Sequence, residues 1–121
     1  METKFYVCPI CGNVIVKCVD SGVTPVCCGR TMQLLTPNTT DGAQEKHLPE
    51  ITRVDECTLK VQVGSQPHPM TPEHHIRFIY LETKCGGQIK WLDPAQPAVT
   101  CFCTCKEPPT AVYAYCNLHG L

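Results

Sequence analysis

Eleven cysteines fall within 121 residues, and five of them lie among the first 28. No other feature restricts the folding choices of this chain as strongly. Thiols at such density are either paired as disulfides or bound to metal, and the redox compartment decides between the two. The count is odd, and Met1–Val7 (METKFYV) has neither the apolar stretch nor the cleavage site of a secretory leader. A cytoplasmic location, with cysteines that ligate metal, is therefore the expectation.

The first cluster of thiols has an organised spacing. Cys8-Pro-Ile-Cys11 is a CxxC knuckle, whose two intervening residues let both sulfurs face one ion; Cys27 and Cys28 are adjacent and are followed by Gly29. Four thiolates favour a tetrahedral ion, either zinc or iron, and ligand type alone does not separate them. The competing reading of Cys27–Cys28 is a strained vicinal disulfide or two unrelated buried thiols. Short strands are expected over Lys4–Val7 and Val14–Val19, with turns at Gly12, Gly22 and Gly29. Cys18 falls in the second of these strands and reads as an ordinary small apolar residue. A unit this small buries too little apolar surface to fold unaided, so a metal or a partner chain must support it. The polar stretch Thr36–Gln44 reads as a linker, giving a division into residues 1–36 and 37–121.

Beyond the linker the pattern is all-β. Cys57, Leu59, Val61 and Val63 alternate with Thr58, Lys60 and Gln62, the signature of a half-buried strand. Ile76–Leu81, Ile89–Leu92, Ala98–Thr104 and Ala111–Tyr115 are further strand candidates between turns rich in Pro, Gly and Asp. Eleven prolines oppose long helices. An antiparallel sandwich follows. The net charge of −1 comes with no basic block, so a nucleic-acid partner is not expected, and apolar runs of only a few residues leave no membrane span.

The histidines are grouped rather than scattered. His47 lies in EKHLPE, His68 and His74 in HPMTPEHH, and His119 in CNLHG with Cys116 three residues before it. Pro69 and Pro72 stiffen the loop carrying two of the imidazoles, and Cys116-x-x-His119 permits chelation from one turn. His75 follows His74 directly. Neighbouring side chains of an extended segment point apart, so His75 reads as structural or exposed.

CPICGNVIVK…VCCG resembles the desulforedoxin module, and EKHLP, HPMTPEH and CNLHG, in that order, resemble the neelaredoxin-like catalytic domain of superoxide reductases. Together they resemble the desulfoferrodoxin family over essentially the whole chain. The resemblance implies a small desulforedoxin-like module ahead of an immunoglobulin-like antiparallel β-sandwich. It further implies two non-haem mononuclear iron sites. Cys8, Cys11, Cys27 and Cys28 would hold the first. His47, His68, His74 and His119 would surround the second in a plane, with Cys116 as axial thiolate and one position open to solvent.

Superoxide would be the substrate, and rubredoxin or a similar small carrier the electron donor, acting on a homodimer. Four neutral imidazoles and one thiolate leave a ferrous centre with net positive charge, which attracts an anion even on a slightly acidic protein. A thiolate ligand donates electron density, the lever that thiolate-ligated haem also uses. By the same resemblance Lys46 attracts superoxide or orders water for proton delivery, and Glu45 closes on the oxidised iron. As residues alone, Glu45 and Lys46 are an ordinary solvated charge pair.

The remaining thiols are Cys18, Cys57, Cys85, Cys101, Cys103 and Cys105. The run CFCTC places three of them on one strand face, either as a further metal site or, the simpler reading, in place of small apolar residues. Two rivals to the reductase remain: a non-catalytic electron-transfer or zinc-stabilised metalloprotein, and a superoxide dismutase.

Overall fold

A computed structural model describes residues 3–37, 48–64, 68–104, 107–117 and 120–121. Glu45, Lys46, His47, Cys105 and His119 lie outside these residues. The described chain is all-β, and none of it forms a helix long and apolar enough to cross a membrane. It divides into two compact units, Met1–Thr36 and Pro37–Leu121.

In the first unit β1 (Phe5–Val7) is flanked by β2 (Val14–Val16) and β5 (Gln33–Leu35), both antiparallel to it. β3 (Val26–Cys27) and β4 (Arg30–Thr31) form a separate hairpin. Among the described residues Phe5 is buried, and Tyr6, Cys8 and Met32 form a small buried cluster with Cys27 packed against it. So small a core offsets little of the chain entropy lost on ordering the unit, in keeping with the expectation that a metal or a partner chain supports it.

The expected strand Val14–Val19 ends early, at Val16, and the reason is local. The Lys17 ammonium turns back over the Tyr6 ring at 5.3 Å and donates to Asp20 Oδ1 at 2.7 Å and to the Val23 carbonyl at 2.6 Å. Lys4 also reaches Asp20, at 2.8 Å. Lys17 and Lys4 together hold the Asp20 carboxyl well below the usual carboxylate range. This ion network curls residues 17–23 out of the sheet. Cys18 is consequently exposed and outside any strand, contrary to the sequence reading.

The second unit contains two three-stranded antiparallel sheets. One has the order β10 (Val99–Cys103), β7 (Thr58–Val63), β6 (Pro49–Arg53); the other has the order β11 (Pro109–Cys116), β8 (Ile76–Thr83), β9 (Gly86–Trp91). One buried cluster draws on both sheets: Leu59, Val61, Val63 and Phe102 from the first, and Ile76, Ile79, Leu81, Ala114 and Cys116 from the second. Alternation along β7 buries Leu59, Val61 and Val63, as the sequence pattern requires. Cys57 falls just before the strand and is exposed. β6 was not legible in the sequence: PEITR lacks a period of two, and Ile51 is 45% exposed. Its place comes from pairing with β7, from Pro49↔Val63 to Arg53↔Leu59.

On β10, Phe102 is fully buried while Cys101 and Cys103 face outward. The two thiols thus share a face, and that face is the solvent side. They do not take core positions as valine or alanine would. His75, in contrast, is buried.

Candidate metal centres

Two groups of donor atoms converge among the described residues, one in each unit, and in each group all the ligand atoms lie within 4.8 Å of one another. The first comprises Cys8, Cys11, Cys27 and Cys28. Cys8 directly follows β1 and is 2% exposed; the chain then turns so that the backbone N–H groups of Ile10 and Cys11 approach its sulfur at 3.4 and 3.5 Å. Cys11 Sγ lies 3.6 Å from Cys27 Sγ, and Asn13 Nδ2 donates to Cys27 Sγ at 3.7 Å.

The fourth sulfur depends on an unusual turn. Cys27 pairs with Arg30, so Cys28 and Gly29 form a two-residue hairpin loop, with φ of 53° and 69°. Positive φ at both central positions is the type I′ pattern, which glycine and asparagine normally occupy. Cysteine at the first of them accepts backbone strain and in return carries its sulfur beside that of Cys27, 3.9 Å away.

Proton affinities in this group differ sharply. Hydrogen bonds from the Cys11 and then the Ile10 backbone lower the Cys8 thiol to about 6, despite the opposing cost of burial. Contact with the Cys11 and Cys27 sulfurs pushes Cys28 up to about 12, and contact with Cys8 and Cys11 raises Cys27. The Cys8 thiolate is thus favoured, whereas Cys27 and Cys28 hold their protons unless a cation balances the charge. Such a donor set fits a thiophilic ion with tetrahedral preference.

A pH prediction follows from these directions. At pH 7 Cys8 is already a thiolate, while Cys27 and Cys28 must lose protons as metal enters, so affinity falls as pH falls. Below about 6 Cys8 must lose its proton too. In zinc titrations of reduced, metal-free protein, apparent affinity should therefore drop more steeply below that pH than above it. A single unchanged slope from pH 8 to 5 would contradict the inequality of the sulfurs.

The second group comprises His68, His74 and Cys116. Antiparallel pairing explains how it assembles. β8 begins where β11 ends, with Cys116 opposite Ile76, so the loop entering β8 meets the turn leaving β11. His68 is 5% exposed and Cys116 1%, with His74 half-buried between them. The two imidazole centroids stand 4.8 Å apart with planes at 82°. His68 Nδ1 lies 2.6 Å from the Pro69 carbonyl, which can only accept, so that nitrogen carries the proton and Nε2 presents its lone pair. The Nε2 atoms of His68 and His74 are both buried.

Backbone bonds in both directions between Thr71 and His74, at 2.9 and 3.1 Å, close the His74 loop. Reciprocal 2.9 Å bonds between Cys116 and Gly120, with Gly120 at φ 79°, close the C-terminal turn. His75 is not one of the converging donors, and its Nδ1 is buried without a hydrogen-bond partner among the described residues. One buried and one half-buried imidazole with a buried cysteine sulfur are a mixed nitrogen–sulfur set suited to iron, zinc or copper, and poorly suited to calcium or magnesium.

Comparison with known proteins gives one consistent picture. The desulfoferrodoxin family model matches residues 39–121. A desulfoferrodoxin of Syntrophotalea carbinolica is 39% identical over 120 residues, spanning 99% of this chain and 94% of its own length. A protein called superoxide reductase in Pyrococcus horikoshii is 37% identical over 98 residues, or 67% of this chain and 85% of the relative. The crystal structure of the superoxide reductase from Treponema pallidum superposes with a TM-score of 0.80 at 31% identity, covering 98% of this chain and 94% of that one.

Proposed function

The chain belongs to the desulfoferrodoxin family, and on that premise we propose that it is a superoxide reductase working at the His68–His74–Cys116 centre. The observation that carries this reading is the convergence of two imidazoles with the Cys116 sulfur, all three largely withdrawn from solvent. The family binds iron at two sites, and the two donor groups of this chain fit them.

Iron held at the second group would supply the electron for superoxide, and two protons complete hydrogen peroxide. The residues of the chain set the conditions for that step. Cys116 contributes negative charge and polarizable sulfur from a position water hardly reaches, while the neutral imidazoles add none, so the filled site keeps a positive charge toward an incoming anion. We assign His47 and His119 to complete the ligand set, Lys46 to draw superoxide in and order proton-delivering water, and Glu45 to close on the oxidised centre. The first group, with all four thiolates engaged, leaves no place for a substrate; electron transfer or support of its unit is its role. Rubredoxin or a similar small carrier as donor, a homodimeric assembly and a cytoplasmic location complete the proposal.

Peroxide yield tests it. With an external reductant, reduction gives one hydrogen peroxide for each superoxide consumed, whereas dismutation gives half that yield and evolves oxygen. The full yield is expected. The half yield, or a colourless protein with zinc in both sites, would overturn the reading.

A further inference from the structure

Asn117 stands directly after Cys116, inside the turn that Cys116 and Gly120 close. Its side chain leaves that turn and grips another segment of the chain. Oδ1 accepts from the His75 backbone N–H at 2.9 Å, and Nδ2 donates to the Glu73 carbonyl at 2.9 Å. Its own backbone N–H donates to the His75 carbonyl at 3.2 Å. The two side-chain bonds span 42 and 44 residues of sequence. The residues gripped are the two neighbours of His74.

We propose that Asn117 is a positioning residue of the second metal centre: it locks the His74 segment to the Cys116 turn, so that the imidazole and thiolate donors are pre-set in distance and direction before an ion binds. This rests on the reading of His74 and Cys116 as ligands.

His74 sits on the loop that enters β8, and Cys116 sits at the end of β11, the strand paired with β8. Backbone pairing ties them on the C-terminal side of His74, through Cys116↔Ile76 and the Asn117 N–H to the His75 carbonyl. The Asn117 side chain extends the tie to Glu73, on the other side of His74, and without it the separation of the donors varies with motion of the loop there. The ion would then have to order the loop on binding, at a cost in chain entropy. Asn117 places a donor and an acceptor at the two ends of one rigid amide, and these match a carbonyl and an N–H two residues apart. Aspartate has no donor for the Glu73 carbonyl, alanine has neither group, and glutamine's extra methylene displaces both. Outer partners that orient metal ligands commonly contribute about 10- to 100-fold in affinity.

The test uses the full chain, loaded anaerobically with iron(II) in competition with a chelator, alongside the thiolate-to-iron absorption of the oxidised protein. In Asn117→Ala, iron affinity at the second site should fall about 10- to 100-fold and its absorption band should shift, while the four-cysteine site binds as before. Asn117→Asp keeps the acceptor for His75 and should fall between wild type and alanine; it decides the matter if the alanine variant does not fold. Thr71→Ala removes hydrogen bonds internal to the His74 loop, the Thr71 hydroxyl contacts at 3.1 and 3.3 Å, without touching the Cys116 turn. It should weaken the site less than Asn117→Ala does.

Unchanged affinity and an unchanged band in both Asn117 variants would overturn the proposal. Equal losses in Thr71→Ala and Asn117→Ala would do the same, since general loosening of the loop would then suffice. Failure of the parent reading looks different. In that case the wild type itself would show no second iron, or Cys116→Ser would bind it unaltered.

Discussion

Cys116→Ser is expected to lower superoxide reduction by at least about 100-fold, because it replaces the one soft anionic donor of the second centre. The exchange is nearly isosteric at a position 1% exposed, so the end of β11 and its bonds to Gly120 should persist. What changes is the chemistry of the donor. A serine hydroxyl does not ionise near neutral pH, and its harder oxygen neither donates charge as sulfur does nor offsets the burial of a cation. Stopped-flow or pulse-radiolysis rates measure the first effect. Loss of the visible thiolate-to-iron band from the second site, with the four-cysteine bands intact, checks that the fold survives. A variant that retains both the rate and the band would remove Cys116 from the mechanism.

Phe102→Ala carries the largest expected cost in stability, about 3–5 kcal/mol. Phe102 is fully buried opposite Leu59 and packs into the cluster shared by the two sheets. Removing the ring leaves a cavity between layers that hydrogen-bonded strands hold apart, so the gap closes poorly. Trp91 is the informative control. It is the larger side chain, yet it is 81% exposed, and Trp91→Ala should stay within about 0.5 kcal/mol. Urea unfolding of the iron-loaded protein, followed by far-ultraviolet circular dichroism, compares the two. Equal small changes would mean that the ring does not hold the layers together.

The same contrast shows how far sequence reading reaches. Alternation along β7 orients a strand because each side chain meets either the core or water, and residue type records which. β6 carries no such record, since its outer residues meet solvent on an edge; only its ladder with β7 makes it a strand. Cys18 lies beyond the strand expected for it because the bonds that end β2 belong to the side chains of Lys4, Lys17 and Asp20, whose meeting no local pattern announces. The thiols of CFCTC could be put on one face from period two, but which side of the sheet faces water was decided by Phe102.

The clustered cysteines and the grouped histidines pointed by themselves to metal ligation, and the order and spacing of the motifs pointed to a family. Donor chemistry is a property of residue type, so composition and spacing carry it. Which donors meet is a property of the path between them. Cys8 and Cys28 share a site because a strained type I′ turn presents the second sulfur, and His74 meets Cys116 because β8 starts where β11 ends. The clasp of Asn117 across that junction could be seen only after folding, because its partners are backbone atoms, which every residue possesses and no sequence distinguishes.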